Sequence, residues 1–236
     1  MFLGYPNEAH PASVRLTLSM NSSFDQFSNI LRDYPHQFLP PLPGRKNNKP
    51  AGILVPIRKD EHWTCFLTLR SAHLREHRFE ISFPGGKPEP QDHSLRETAL
   101  RECREEIGLQ SSQIFGRLSS VPLYTSDYRL EPFVAWIEKT ESPIANPDEV
   151  AEILPIPLLR ILDLPFIDGV PFTWQKREFL SPLFLPHSLS PDIQTQRWLF
   201  GGTAHVLYEL LQLVCRTMQK DLPPIRRTKT HLPFSH

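Results

Sequence analysis

Glycine is scarce in this chain, at 10 of 236 residues, about 4% against a usual 7%. The excess falls to proline, with 25 residues, about 11% against a usual 5%. Because proline fixes φ and removes a backbone donor, its positions are expected to bar helix interiors and central strands. Collagen, coiled coils and long helical arrays are excluded. Cysteine is also rare: Cys65, Cys103 and Cys215 are three in number and far apart, which argues against a disulfide framework or a zinc ribbon and fits a reducing compartment. There is no net charge, with 26 basic against 26 acidic residues, so no chain-wide field exists to hold nucleic acid, and an anionic ligand must be held by local cations. No run of about 18 apolar residues is present to span a bilayer. The start, MFLGYPNEAHPASVR, lacks the basic and apolar regions of a signal peptide. These absences predict a cytoplasmic protein with no nucleic-acid or membrane partner.

What is present is 39% hydrophobic residues, enough for one packed domain. Proline is absent from 12 to 34, 57 to 83, 91 to 121 and 192 to 222, and regular structure is expected in each stretch. Phe24, Phe27, Ile30 and Leu31 recur at helical spacing behind Ser22 and Ser23, either of which could cap a short helix. A proline-rich connector from Leu39 to Pro50 follows. Strands are predicted at Gly52 to Ile57, Thr64 to Leu69, Arg78 to Phe83, Ile114 to Leu118 and Phe133 to Ile137, with an extended piece from Phe172 to Phe179. Helices are predicted at Ser94 to Ile107, Pro157 to Leu162 and Thr203 to Met218. Strands interleaved with a few helices give a mixed α/β sandwich. The expected organisation is an extension over 1–50, a main domain over 51–219 and a tail over 220–236. Trp136, Trp174 and Trp198 are assigned to the core.

The chemistry concentrates in FPGGKPEPQDHSLRETALRECREEIGL, residues 83 to 109. Ser94 and Glu97 form a capping box and Gly108 is a natural C-terminal stop, so both helix limits are set locally. Glu102, Glu105 and Glu106 stand at i, i+3 and i+4, three carboxylates on one side of the helix beside the apolar stripe Leu95, Ala99, Cys103 and Ile107. Like charges so placed repel unless a cation sits among them, and oxygen-only ligands suit Mg²⁺ or Mn²⁺. Taken alone, the same face also reads as a solvated acidic surface neutralised by Arg101 and Arg104. Gly85 and Gly86, just before the helix, let backbone pass close to a phosphate or a metal-linked ligand.

Loop and helix together resemble the Nudix box, G, five residues, E, seven residues, R-E-U-x-E-E-x-G-U, where U is bulky and aliphatic. Arg101 to Leu109 fill its second half, with Cys103 at a U position. In the first half Asp92 replaces Glu, and eight residues rather than seven separate it from Arg101. Phe66 to Gly86, FLTLRSAHLREHRFEISFPGG, resembles the segment LLTxRSxxLxxHxGxxxFPGG that precedes the box in the coenzyme A pyrophosphatase branch, which also carries the longer, Asp-containing loop. Phe79 stands where that branch has Gly. DEVAEILPIPL at 148 to 158 and RWLFGGTAHVLYELLQL at 197 to 213 resemble later segments of the branch. The resemblance covers about residues 51 to 215.

It implies a Nudix-type α/β/α sandwich with a mixed β-sheet. The implied activity is metal-dependent hydrolysis of the phosphoanhydride of coenzyme A or a derivative, yielding 4′-phosphopantetheine and adenosine 3′,5′-bisphosphate. Glu102, Glu105 and Glu106 would hold Mg²⁺ or Mn²⁺, with Arg101 as their anchor and Glu149 or Glu152 as base. Arg70, His73, His77, Gly85, Gly86 and Lys87 would contact the ligand. Arg75 and Arg78 add local charge. Two rivals stand: a Nudix pyrophosphatase for ADP-ribose or NADH, and a Nudix-like module that binds a nucleotide without turnover. A second copy of the chain remains open as a partner. His73, Glu76 and His77 also match the H-x-x-E-H zinc-protease pattern, but only a few residues separate the flanking strands, too few for the helix that pattern needs.

Overall fold

The computed structural model describes residues 20–73, 79–110, 113–174 and 177–228. Helix α1 (Met20–Arg32) leads into strands β1 (Lys49–Arg58), β2 (Thr64–Arg70), β3 (Ile81–Ser82) and β4 (Gly85–Gly86), then helix α2 (Leu95–Ile107). Strands β5 (Gln113–Arg117), β6 (Val121–Pro122), β7 (Tyr128–Ile137) and β8 (Val150–Pro157) follow, then the short helix α3 (Leu158–Ile161). The chain closes with β9 (Ile167–Trp174), β10 (Arg177–Leu183), α4 (Gly201–Met218) and β11 (Ile225–Arg227).

The main sheet is mixed. β1 runs parallel to β7 over the whole length of both, and every other pairing in this sheet is antiparallel. β1 and β2 meet only at Ile57–Arg58 and Cys65–Thr64 and then diverge. The segment from 81 to 86 fills the fork: Ile81–Ser82 pair with β2, and Gly85–Gly86 pair with β1. β8 covers the other edge of β2. A small second sheet holds the β9–β10 hairpin with β11 parallel to β9.

Apolar residues pack both faces of the main sheet, as an α/β/α sandwich requires. On one face Ala99, Cys103 and Ile107 of α2 meet Leu54, Phe66, Ala135 and Ile137. On the other, α4 and α1 join one larger cluster. There Phe24 and Phe27 pack on Trp63 and Trp136 at centroid distances of 4.9 to 5.6 Å, and Phe115 stacks on Trp136 at 4.8 Å. The Trp136 indole donates to Ser28 Oγ at 2.9 Å, so its polar edge is satisfied within the cluster.

Several sequence expectations change. Proline does enter strands: Pro50 and Pro56 lie in β1, Pro132 in β7, and Pro155 and Pro157 in β8. For Pro56 and Pro132, the missing N–H faces a break in pairing. The Leu54 amide points into the fork, donating to Pro84 O at 2.8 Å, and position 56 faces the same way where β1 and β2 have just parted. Pro132 faces the gap between β5 and β6, where its carbonyl accepts from Leu118. A ladder with gaps costs such prolines no hydrogen bond. Of the strand expected over Arg78 to Phe83, Arg78 lies outside the described residues and the rest keeps only Ile81–Ser82, since Phe79 has a positive φ of 59° that no strand accommodates. Ser22 and Ser23 lie in the first turn of α1 rather than ahead of it. Trp198 is half-buried, and the Trp174 side chain lies outside the described residues.

Candidate active site

Helix α2 begins and ends where its sequence says. Ser94 Oγ accepts from the Glu97 amide at 3.2 Å, while the Glu97 carboxylate reaches back to the His93 amide at 2.9 Å. Gly108, at φ 70°, returns its N–H to Arg104 O and stops the helix. Ala99, Cys103 and Ile107 seat one face on the sheet, which sets the azimuth of every carboxylate.

The glycines ahead of α2 leave room for what lies above them. A Cβ on Gly86 would sit 2.3 Å from Glu102 Oε1, and one on Gly85 would sit 2.5 Å from Gly52 O. At Gly85 the close β1 backbone and a φ of 156° leave room for glycine alone, whereas at Gly86 a side chain would displace the Glu102 carboxylate.

Arg101 is the knot that holds the loop. Its Nε and Nη2 donate to the Asp92 carboxylate at 3.1 and 3.0 Å, Nη2 donates to Lys87 O at 3.1 Å, and Nη1 donates to Glu105 Oε2 at 2.7 Å. Nη2 also lies 3.1 Å from Glu102 Oε1. Asp92 in turn accepts from Thr98 Oγ1 and from the Glu89 amide. The fork of Arg101 holds the Asp92 carboxyl far below the usual carboxylate range. Asp in place of Glu, with one added loop residue, therefore still forms the bridge.

Glu106 has the opposite surroundings. Its side chain is 3% exposed and its nearest cation, Arg70 Nη1, lies 3.6 Å from Oε1. It accepts from the Gly85 amide, while Oε2 has no hydrogen-bond partner. Arg70 Nε is likewise buried without one. Burial, with Glu102 and Glu149 nearby, pushes the Glu106 carboxyl up to about 8 against the opposing pull of Arg70. Burial also raises Glu102, with Glu105 and Glu149 adding to it and Arg101 opposing. Three carboxylates from α2 and the turn just ahead of β8 thus bear on one another, and the most deeply buried of them has an unused oxygen.

The other expected site residues are distributed as follows. Glu105 is half exposed and turned to Arg101. Glu149 feels both Glu102 and Glu106, and its carbonyl accepts from the Ser71 amide. Glu152 instead accepts from the backbone amides of Gln194 and Thr195 at 2.6 and 3.0 Å, so it ties the loop after β10 to β8. Sequence reading missed this partner, because a loop amide leaves no mark in residue type. Lys87 lies near the Tyr128 ring, 5.1 Å from its centroid. His73 is exposed, with its amide donating to Ser71 Oγ. His77, Glu76, Arg75 and Arg78 lie outside the described residues. Among the described residues no three His, Cys, Asp or Glu side chains already converge as a metal cage. The donor set nevertheless fits a hard cation: it is all oxygen, and it contains a buried carboxylate oxygen, Glu106 Oε2, with no hydrogen-bond partner. All three cysteines are buried and free, which removes them from this chemistry.

A NUDIX-domain family model matches residues 47–180. A Photorhabdus laumondii protein described as an uncharacterized Nudix hydrolase NudL is 41% identical over 192 residues, 78% of this chain and 97% of its own. A Yersinia enterocolitica protein of the same description is 39% identical over 54% of this chain and 67% of its own. Among solved structures, a MutT protein from Methanosarcina mazei is 23% identical over 49% of this chain and 81% of its own, with a TM-score of 0.38. A MutT/nudix family protein from Enterococcus faecalis is 13% identical over 85% of this chain and 75% of its own, with a TM-score of 0.42.

Proposed function

The chain belongs to the Nudix family of hydrolases, and from that premise we propose that its substrate is coenzyme A or a close derivative, cleaved at the phosphoanhydride. The observation that carries a hydrolytic site is Glu106, a buried, underpaired carboxylate facing Glu102, Glu149 and Arg70. The coenzyme A assignment rests on the agreement of Phe66 to Gly86 with the segment that precedes the box in that branch.

Glu102, Glu106 and, beside them on the helix, Glu105 would hold Mg²⁺ or Mn²⁺. Such an ion would neutralise the phosphoanhydride oxygens and acidify a nearby water. Gly85 and Gly86 give the diphosphate backbone clearance. Arg70 and Lys87 supply the local cations that a neutral chain needs, with Arg70 already beside Glu106 and its Nε free to donate. His73, exposed just past β2, is a further candidate ligand contact, and His77 is one by sequence alone. Arg101 keeps the loop and Glu102 in register and stays out of the reaction itself. Glu149 is the carboxylate left to take the proton of the attacking water, since both oxygens of Glu152 are used by the 194–195 backbone. Water adds to one phosphorus, the bridging P–O bond breaks, and the products are 4′-phosphopantetheine and adenosine 3′,5′-bisphosphate.

Incubation of the purified protein with Mn²⁺ and coenzyme A, ADP-ribose, NADH or 8-oxo-dGTP, with products identified by mass spectrometry, tests the reading. Coenzyme A is expected to give the two named products. Turnover of ADP-ribose with coenzyme A untouched would remove the substrate assignment, and nucleotide binding without turnover of anything would point to a binding module.

A further inference from the structure

Phe79 is not explained by the fold. Its φ of 59° is a conformation that glycine adopts freely and a bulky side chain rarely does. Its ring is 41% exposed and belongs to neither core cluster. Neither backbone ease nor burial therefore accounts for an aromatic here, and strain that burial does not repay concentrates at functional positions.

Its surroundings are built rather than incidental. The Phe79 amide donates to Arg70 O at 3.2 Å and the Arg70 amide donates to Glu80 O at 3.0 Å, so Phe79 hangs from the end of β2. The Arg197 guanidinium lies over its ring, 5.0 Å from the centroid. Arg197 comes from the loop that Glu152 anchors through the Gln194 and Thr195 amides, and its own amide donates to Thr195 Oγ1 at 3.2 Å. Two separate segments thus bring a planar cation and an exposed ring together next to Arg70, whose side chain reaches Glu106.

We propose that Phe79 and Arg197 form a stacking platform for the base of a nucleoside diphosphate derivative whose diphosphate lies at the Glu106 cluster. The proposal rests on the hydrolase reading above and deepens it, because the platform would select substrates that carry a base. An aromatic face with a guanidinium behind it binds any purine through stacking and cation–π attraction, without hydrogen-bond readout.

The test is calorimetric titration of the full chain, in Mg²⁺, with AMP and separately with inorganic pyrophosphate. Phe79→Gly is expected to weaken AMP about 10-fold to 100-fold, the range for losing one stacking aromatic, with pyrophosphate unchanged within twofold. Phe79→Trp should keep AMP affinity, and Arg197→Ala should lose a smaller part of it. Because glycine relieves the positive φ, Phe79→Gly should melt no lower than the parent protein. If Phe79→Gly binds AMP as the parent does, or loses pyrophosphate equally, the platform is wrong whatever becomes of coenzyme A. If AMP binding depends on Phe79 while the parent leaves coenzyme A intact, the platform stands and the coenzyme A reading falls.

Discussion

Helix α2 and the loop ahead of it hold two groups of carboxylates, and they have opposite electrostatics. Around Arg101, both oxygens of Asp92 and one of Glu105 are met by guanidinium N–H groups. Around Glu106, one oxygen has the Gly85 amide and a cation 3.6 Å away, and the other has no hydrogen-bond partner. Identical side chains thus serve two ends: a satisfied cluster fixes backbone, whereas an unsatisfied one stores affinity for a ligand that has yet to arrive.

Substitutions separate the two groups. The largest expected effect on activity is from Glu106→Gln, a loss of about 10²–10³-fold in kcat/KM, the scale for removing one group aimed at charge in the reaction. The metal-free variant should melt no lower than the parent at pH 8, since a neutral amide relieves a buried charge. Steady-state kinetics and a thermal melt read both, and a variant that keeps its activity would place the ion elsewhere. Arg101→Ala should instead show chiefly in stability, lowering the melting temperature by about 5 °C on the scale of a domain of this size, with activity falling as the loop loosens.

Proton linkage gives a third way to break the contrast. Below 4.5, the ordinary value for a glutamate, both folded and unfolded chains hold the Glu106 proton. Between there and about 8 the unfolded chain has released it and the folded metal-free protein retains it. Stability of the metal-free protein should therefore fall as pH rises through that window. Mn²⁺ binding should release about one proton near pH 6.5 and far less at pH 9.5, as calorimetry in buffers of different ionisation enthalpy would show. Proton release that does not change with pH would mean that Glu106 is already ionised in the folded chain. The smallest effect is expected from Glu105→Gln, which removes an exposed i,i+4 pair and should shift the melting temperature by no more than about 1–2 °C, with less loss of Mn²⁺ affinity than Glu106→Gln.

How much of this was legible in sequence follows from the range of the interactions. The limits of α2 were, because Ser94, Glu97 and Gly108 act within four residues of the ends they cap. The three glutamates on one side of the helix were too, since 3.6 residues per turn decides it. Which glutamate would be buried and left without partners was not, because that depends on Gly85, Arg70 and Glu149, drawn from β4, β2 and the approach to β8. Glu149 and Glu152 looked equivalent, and only the return of the 190–199 loop separates them. The prolines misled in β1 and β7 for a related reason: a sheet with gaps tolerates what a continuous ladder forbids, and gaps are a property of topology.

Helix α1 lies wholly ahead of the region the family model matches, yet Phe24, Phe27 and Leu31 are buried in the larger core cluster. Trimming the chain to begin at Ala51 would leave Trp63, Trp136 and Phe115 as a bare aromatic plaque on the back of the sheet. Loss of Phe27 alone, as in Phe27→Ala, would cost about 3–5 kcal/mol. Boundaries drawn by similarity would in this case yield a sticky fragment, and the practical length of the enzyme for expression begins upstream of its recognisable motif.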